Sequence, residues 1–207
     1  MLVVPIMMML VNSSCGQGVN SNNKDQAQTL VNQAGALMMK ASVGEEEKIT
    51  LGKAVELLKQ SIELNDTLAV ATQSLVICYI KLKEPLKAID VYNQWLKRFP
   101  KDETAHLQRG MLHYSIKNLA LAEKDFDIIR AYITKQNPTF NSNLTPAEIN
   151  KIINLSYLNL VVGNQEHAIY LIDHLKTALP KNTTVDRAYT SMQKLTREDV
   201  IKKFAGF

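Results

Sequence analysis

The side chains that could do chemistry in this 207-residue chain are four histidines, two cysteines and a run of three glutamates. The histidines form two pairs, His106 with His113 and His167 with His174, and seven positions separate the members of each pair. Seven residues of a helix span about 10 Å, whereas a zinc–nitrogen bond is about 2 Å long. One metal ion therefore cannot be bound by both members of a pair, and packing is the simpler explanation for them.

The remaining reactive residues also give no catalytic constellation. Cys15 and Cys78 are too far apart to indicate a disulfide framework or a metal cluster, and Cys78 lies in an apolar stretch typical of an inert core thiol. Glu45–Glu47 has no His or Cys nearby and is predicted to be a solvated loop. The sequence has neither a glycine-rich phosphate loop nor a G-x-S-x-G elbow. We predict a protein that is not an enzyme and has no metal and no cofactor; the alternative is a hydrolase or carrier with an unrecognised site.

Composition indicates a folded, helical chain. Hydrophobic residues make up 46% of it and charged residues 21%, which is ordinary for a folded protein, while aromatic residues are sparse at 6%. Leu, Ile, Ala and Lys are plentiful, which favours an all-α fold. The net charge of +4 is scattered along the chain. Since nucleic-acid binding needs a concentrated basic stripe, we expect no nucleic-acid partner.

The elements that carry these residues repeat along the chain. A small residue recurs every 34 positions, at Ala54, Ala88 and Ala122, and a large one follows it four positions later, at Leu58, Tyr92 and Phe126. The next copy places Ala168 and Ile172 46 positions further on, and the excess falls in a loop at 136–146. A small residue lets paired helices approach closely, and the larger one fills the gap to the next pair.

This 34-residue helix–turn–helix period resembles the tetratricopeptide repeat (TPR) family. The resemblance covers roughly residues 25–195 and implies an all-α fold: an α-solenoid of about four TPR-like helical hairpins with C-terminal capping helices. The repeats are expected near 25–66, 67–102, 103–136 and 146–181, and the cap at 183–207. Helices are predicted near 25–41, 50–65, 67–82, 85–98, 103–116, 120–134, 146–162, 165–178, 183–195 and 197–205.

Several helix ends carry signals of their own. Pro85 and Pro146 suit the first helical position, where a missing N–H costs nothing. Thr145–Glu148 and Thr196–Asp199 resemble capping boxes. Asp66 or Thr67 is expected to cap the helix that follows. Val200, Ile201 and Phe204 give the last short helix an apolar face that could fold back over the final hairpin.

The N-terminus has the pattern of an export signal. No charged residue precedes Lys24, and the apolar run from Leu2 to Val11 is too short to span a membrane. The run leads into Asn12-Ser13-Ser14-Cys15, which resembles the lipobox of bacterial lipoproteins in the looser form common in Bacteroidetes. That resemblance implies a signal peptide at 1–14, acylation of Cys15 and a polar tether at 15–24. An ordinary cleaved signal and an uncleaved apolar N-terminus folded onto the body are the alternatives.

The resemblance to TPR proteins also implies a binding surface. In that family the first helices of successive repeats line a concave groove, and the matching positions here are Gln73, Ser74, Ile77, Lys81, Leu107, Gln108, Met111, Ser115, Ile153, Asn154 and Tyr157. Their mixed apolar and neutral polar character suits a peptide or partner protein; alternatively, they cover the inner helix surface without a dedicated ligand. We expect an interaction scaffold of the bacterial cell envelope, anchored by lipid in the outer membrane and facing the periplasm. A cytoplasmic TPR adaptor is the alternative.

Overall fold

The computed structural model describes residues 21–41 and 44–206, and every regular element in this part of the chain is an α-helix. The helices are α1 (Ser21–Lys40), α2 (Glu45–Leu64), α3 (Ala69–Lys81), α4 (Pro85–Arg98), α5 (Glu103–Ser115), α6 (Leu119–Ile133), α7 (Pro146–Val161), α8 (Gln165–Ala178), α9 (Thr183–Met192) and α10 (Arg197–Ala205). The predicted all-α class of TPR-like helical hairpins is confirmed. The exact repeat bounds stay a prediction.

The chain divides into two compact units. In the described residues, the N-terminal unit runs to Ala105 and the C-terminal unit from His106 to Ala205. Within the N-terminal unit α1 packs on α2, α2 on α3 and α3 on α4. Ala54 and Ala88 are fully buried, as expected of small residues at close helix crossings. Helices adjacent in sequence are thus adjacent in space, which is the packing pattern of an α-solenoid.

The C-terminal unit repeats this arrangement around one apolar cluster. α7 packs on α8 and α8 on α9, while α6 and α10 also contact α7. Ala122 and Ala168 are fully buried, and so are the large residues four positions later, Phe126 and Ile172. The small-then-large register read from the sequence therefore marks the positions where the helices of the hairpins meet.

Helix starts follow the predicted chemistry in three helices, α4, α7 and α10. Pro85 and Pro146 each lie in the first turn of a helix. The Thr145 hydroxyl accepts from the Glu148 backbone N–H, and the Glu148 carboxylate accepts from the Thr145 N–H at 2.8 Å. Thr196 and Asp199 form the same reciprocal pair at the start of α10. Both capping boxes are confirmed.

Three local predictions were wrong. Glu45–Glu47 forms the first turn of α2 rather than a loop, where the positive end of the helix dipole favours carboxylates. α1 begins at Ser21, inside the segment predicted to be a tether. Neither Asp66 nor Thr67 caps α3, because its N-cap is Leu68 and the Thr67 hydroxyl donates instead to the Asn65 side chain at 2.7 Å.

Candidate partner-binding surfaces

One face of α3 presents the predicted groove residues of the N-terminal unit. Gln73, Ser74 and Ile77 are half-buried, and Lys81 is exposed. Residues spaced by three or four positions share one side of a helix, so the four side chains form a single stripe. Among the described residues, neither Gln73 nor Ser74 makes a side-chain hydrogen bond. The stripe can therefore offer polar groups, apolar surface and one cation to a partner.

The matching positions of α5 are more deeply placed. Leu107, Gln108 and Met111 are only 7%, 4% and 3% exposed, whereas Ser115 is half-buried and its hydroxyl donates to the Leu112 carbonyl at 2.7 Å. Leu107 and Met111 belong to the apolar cluster of the C-terminal unit. Their assignment to a binding groove stays a prediction, but the structure gives them a packing role.

Of the predicted residues of α7, two are half-buried and one is buried. Ile153 and Asn154 are half-buried, while Tyr157 is buried and its hydroxyl lies 3.5 Å from the Ser191 hydroxyl of α9. The position equivalent to Lys81 and Ser115 in the repeat register is Val161, which the sequence analysis left out and which is 3% exposed. Replacing Tyr157 or Met111 would therefore damage the core as well as any binding surface.

The hairpin of α5 and α6 contains a buried ionic cluster that the sequence analysis did not identify. Asp125 is 2% exposed. Its carboxylate accepts from Arg109 Nε at 2.9 Å and Nη2 at 2.7 Å, and its Oδ1 lies 2.7 Å from His106 Nδ1. A bidentate guanidinium contact fixes both the position and the charge of a carboxylate. The three side chains therefore join α5 to α6 through a buried carboxylate.

The repeat register shows how unusual this cluster is. The positions of His106, Arg109 and Asp125 are occupied in the preceding hairpin by Thr72, Leu75 and Val91, and in the following one by Ile152, Leu155 and Leu171. A carboxylate at a position that is otherwise apolar was the signal in the sequence that could have revealed it. The predicted packing explanation for His106 and His113 is confirmed to the extent that both are buried.

The pKa values of Asp125 and His113 are both shifted from their ordinary values. Burial raises the pKa of Asp125, but hydrogen bonds from Arg109 and His106 outweigh it and hold that pKa below its ordinary value. Burial lowers the pKa of His113, although Asp125 acts in the opposite direction. The arrangement stabilises an ionised carboxylate and a neutral His113.

The second histidine pair lies on the surface of α8. The rings of His167 and His174 flank Tyr170, with centroid distances of 5.4 and 4.0 Å, and Phe140 of the 134–145 connection lies 5.4 Å from His174. This is an aromatic stack rather than a ligand set. In the described part of the chain, no group of three or more His, Cys, Asp or Glu side chains is arranged to hold a metal ion.

The other chemical candidates are also structural. Burial raises the pKa of the Cys78 thiol to about 11, so it stays protonated near neutral pH. A recess of about 150 Å³ lies between the 136–144 segment and α7. The one carboxylate in its lining, Glu148, already accepts a hydrogen bond in the capping box of α7.

Among the helices described, none is both long enough and apolar enough to cross a bilayer. Cys15 lies outside the described residues, so its predicted acylation stays a prediction.

Comparison with known proteins finds similarity only in solved helical structures. No protein-family model and no curated protein matches the chain. Residues 41–end of MamA from Desulfovibrio magneticus RS-1 are 17% identical with a TM-score of 0.47, and the match covers 88% of this chain and 90% of that one. A tetratricopeptide repeat protein from Parabacteroides merdae ATCC 43184 is 17% identical with a TM-score of 0.42, over 89% and 75% of the two chains. At these values the similarities carry no inference about partners.

Proposed function

We propose that the chain is a non-enzymatic protein-interaction scaffold of the bacterial cell envelope. It binds an extended peptide or a partner protein through helix faces equivalent to the inner face of TPR hairpins. The observation that carries this proposal is the stripe on α3, where Gln73, Ser74 and Ile77 are half-buried and Lys81 is exposed. A surface of this composition recognises shape and hydrogen-bonding groups, and it needs no reactive group.

The physical basis is a partly apolar stripe held on a rigid element. α3 is packed on both α2 and α4, and its opposite side carries the buried Leu75 and Tyr79. A side chain on a fixed helix loses less conformational freedom on binding than one on a loop, so more of the contact energy appears as affinity. Ile77 supplies the apolar centre, and the amide of Gln73 and the ammonium of Lys81 supply directional contacts.

A substitution test addresses this surface. We expect Ile77→Asp to reduce capture of a partner from a chemically crosslinked envelope fraction by at least about tenfold, since it places an unpaired charge at the centre of the contact. Gln94→Asp is the matched control, because Gln94 is exposed on α4, the other helix of this hairpin. Quantitative mass spectrometry of the captured proteins gives the readout. Equal capture by both variants would contradict the assignment.

The membrane anchor is a separate part of the proposal. The apolar run that ends before Cys15 and the polar residues after it support export and acylation of that cysteine, with retention in the outer membrane facing the periplasm. One acyl chain binds a membrane weakly and reversibly, so stable anchoring needs more than one. Mass spectrometry of the native protein tests this directly. We expect a mature chain that begins at acylated Cys15, and an intact Met1 with unmodified Cys15 would contradict the anchor.

A further inference from the structure

The last helix of the C-terminal unit lies on a helix that is predicted to bind a partner. α10 packs against α7. Its Val200 and Ile201 are 7% and 1% exposed, and they belong to the same apolar cluster as Met111 and Tyr157, two of the predicted groove residues. α10 thus makes apolar contacts on α7 that an external ligand would otherwise make.

Polar contacts hold the start of α10 against α5 and α6. Arg197 Nη2 donates to Glu123 Oε1 at 2.8 Å, and its guanidinium lies 4.5 Å from the ring centre of Tyr114 and 4.7 Å from that of Phe126. The Tyr114 hydroxyl donates to the carboxylate of Glu198. The surface beneath α10 therefore binds the side chains of Arg197 and Glu198 in addition to the apolar residues of this helix.

The spacing of these contacts is that of a helix bound in a groove. Arg197, Val200, Ile201 and Phe204 lie at positions i, i+3, i+4 and i+7, and Phe204 packs against the same cluster. Amphipathic helices bind protein grooves through this pattern. Lys202 and Lys203, between the contacting positions, are exposed. α10 therefore presents one apolar side and one charged side.

The short length of α10 limits its stability as an isolated helix. It has nine residues, fewer than the roughly 12–15 that an isolated helix needs for marginal stability in water. A capping box formed by Thr196 and Asp199 starts it. Its docking depends on a few apolar residues, on the exposed contact of Tyr114 with Glu198 and on the part-buried contact of Arg197 with Glu123. Short terminal elements of this kind are the first to open in native proteins.

We propose that the surface of the C-terminal unit beneath α10 is a docking site for an amphipathic helix of a partner protein, and that α10 occupies it in the unbound chain. The partner helix carries arginine and an acid at its start and apolar residues three, four and seven positions after the arginine. This inference rests on the proposed scaffold function. It names a second surface, on the C-terminal unit, and the kind of partner that fits it.

A peptide in trans tests the inference with the full chain. The probe is a fluorescent peptide of residues 195–207, and its anisotropy is measured with the wild-type chain and with Ile201→Asp, in which α10 cannot seat its buried residue. We expect the Kd for the variant to be at least about tenfold lower, because the site is no longer mostly occupied. Lys202→Ser, at the neighbouring exposed position, should bind the peptide as weakly as wild type.

A second variant controls for misfolding of Ile201→Asp. Thr196→Ala removes the capping hydroxyl without touching the docking surface, and it should give an intermediate gain in peptide affinity. If helicity by circular dichroism is retained and the peptide binds none of the chains, α10 is a fixed cap and the inference is wrong. Equal binding to all of them would also overturn it. The assay measures neither capture from the envelope fraction nor export, so its readout differs from that of the Ile77→Asp test.

Discussion

At the scale of single residues, the α5–α6 hairpin depends on Asp125 and its partners Arg109 and His106, at positions where the neighbouring hairpins carry uncharged residues. A buried ion pair contributes little net stability compared with well-packed apolar residues, because desolvation offsets the attraction. Removing one partner is costly, however, since the other charge stays in an apolar environment. Asp125 is the critical member, because it contacts both Arg109 and His106.

We expect Asp125→Ala to lower the free energy of unfolding by about 3–5 kcal/mol. The substitution leaves the Arg109 guanidinium and the His106 ring inside the hairpin without their shared carboxylate. Urea denaturation followed by circular dichroism at neutral pH measures the loss. A change below about 1 kcal/mol, the typical value of an exposed ion pair, would contradict the account.

The matched control replaces the whole cluster with the residues of the following hairpin. The triple variant His106→Ile, Arg109→Leu and Asp125→Leu carries the side chains found at Ile152, Leu155 and Leu171. We expect it to be at least as stable as wild type, because the buried carboxylate and both of its partners are removed together. If it is as unstable as Asp125→Ala, packing volume rather than unpaired charge explains the loss.

His113 makes stability depend on pH. Burial lowers its pKa from the ordinary value of 6.5, so the unfolded chain binds a proton more readily than the folded one. Stability therefore decreases as pH falls below about 6.5 and stops changing below the folded-state pKa. The variant His113→Asn copies Asn159 at the equivalent position. We expect its free energy of unfolding to decrease less than that of wild type between pH 7.5 and pH 5.5. Identical pH slopes for the two chains in urea denaturation would refute this.

At the scale of elements, the hairpins were predictable because their signals are local. The recurrence of Ala54, Ala88, Ala122 and Ala168 follows from close helix crossings, and proline or a capping box marks several helix starts. The start of α2 at Glu45 was missed because a helix dipole stabilises acidic residues that otherwise read as a solvated loop. Local sequence does not distinguish an acidic first turn of a helix from an acidic loop.

Gly110 makes a close approach between α5 and α6 possible. A Cβ there would lie 2.8 Å from Phe126 Cε1 and 3.1 Å from Asp125 Cβ, and Phe126 is fully buried and cannot move aside. We expect Gly110→Ala to destabilise the chain by about 1–3 kcal/mol, as overpacking does. Thermal or urea unfolding measures the change.

Gly52 provides the matched control for that substitution. It also lies inside a helix, but no atom comes within 4 Å of the added Cβ. Gly52→Ala should therefore stabilise the chain by about 0.5–1 kcal/mol through helix propensity alone. Effects of the same sign at both sites would show that the contact with Phe126 does not control the outcome.

At the scale of the whole molecule, the binding surfaces were less predictable than the fold. The sequence register assigned equivalent roles to Ile77, Met111 and Tyr157, yet Ile77 is half-buried and the other two are buried. Exposure of a helix face depends on which distant segments pack on it, and α10 lies on α7 although more than thirty positions separate them in sequence. A repeat pattern describes each hairpin and its immediate neighbours, but it does not predict contacts between helices that are far apart in sequence.

A site-specific photocrosslinking experiment in growing cells tests the scaffold function most directly. A photoreactive amino acid at Gln73, on the α3 stripe, is compared with the same residue at Gln94, exposed on α4. The scaffold account predicts a discrete crosslinked protein from position 73 in the envelope fraction and none from position 94. The same product from both positions, or none from position 73, would contradict it.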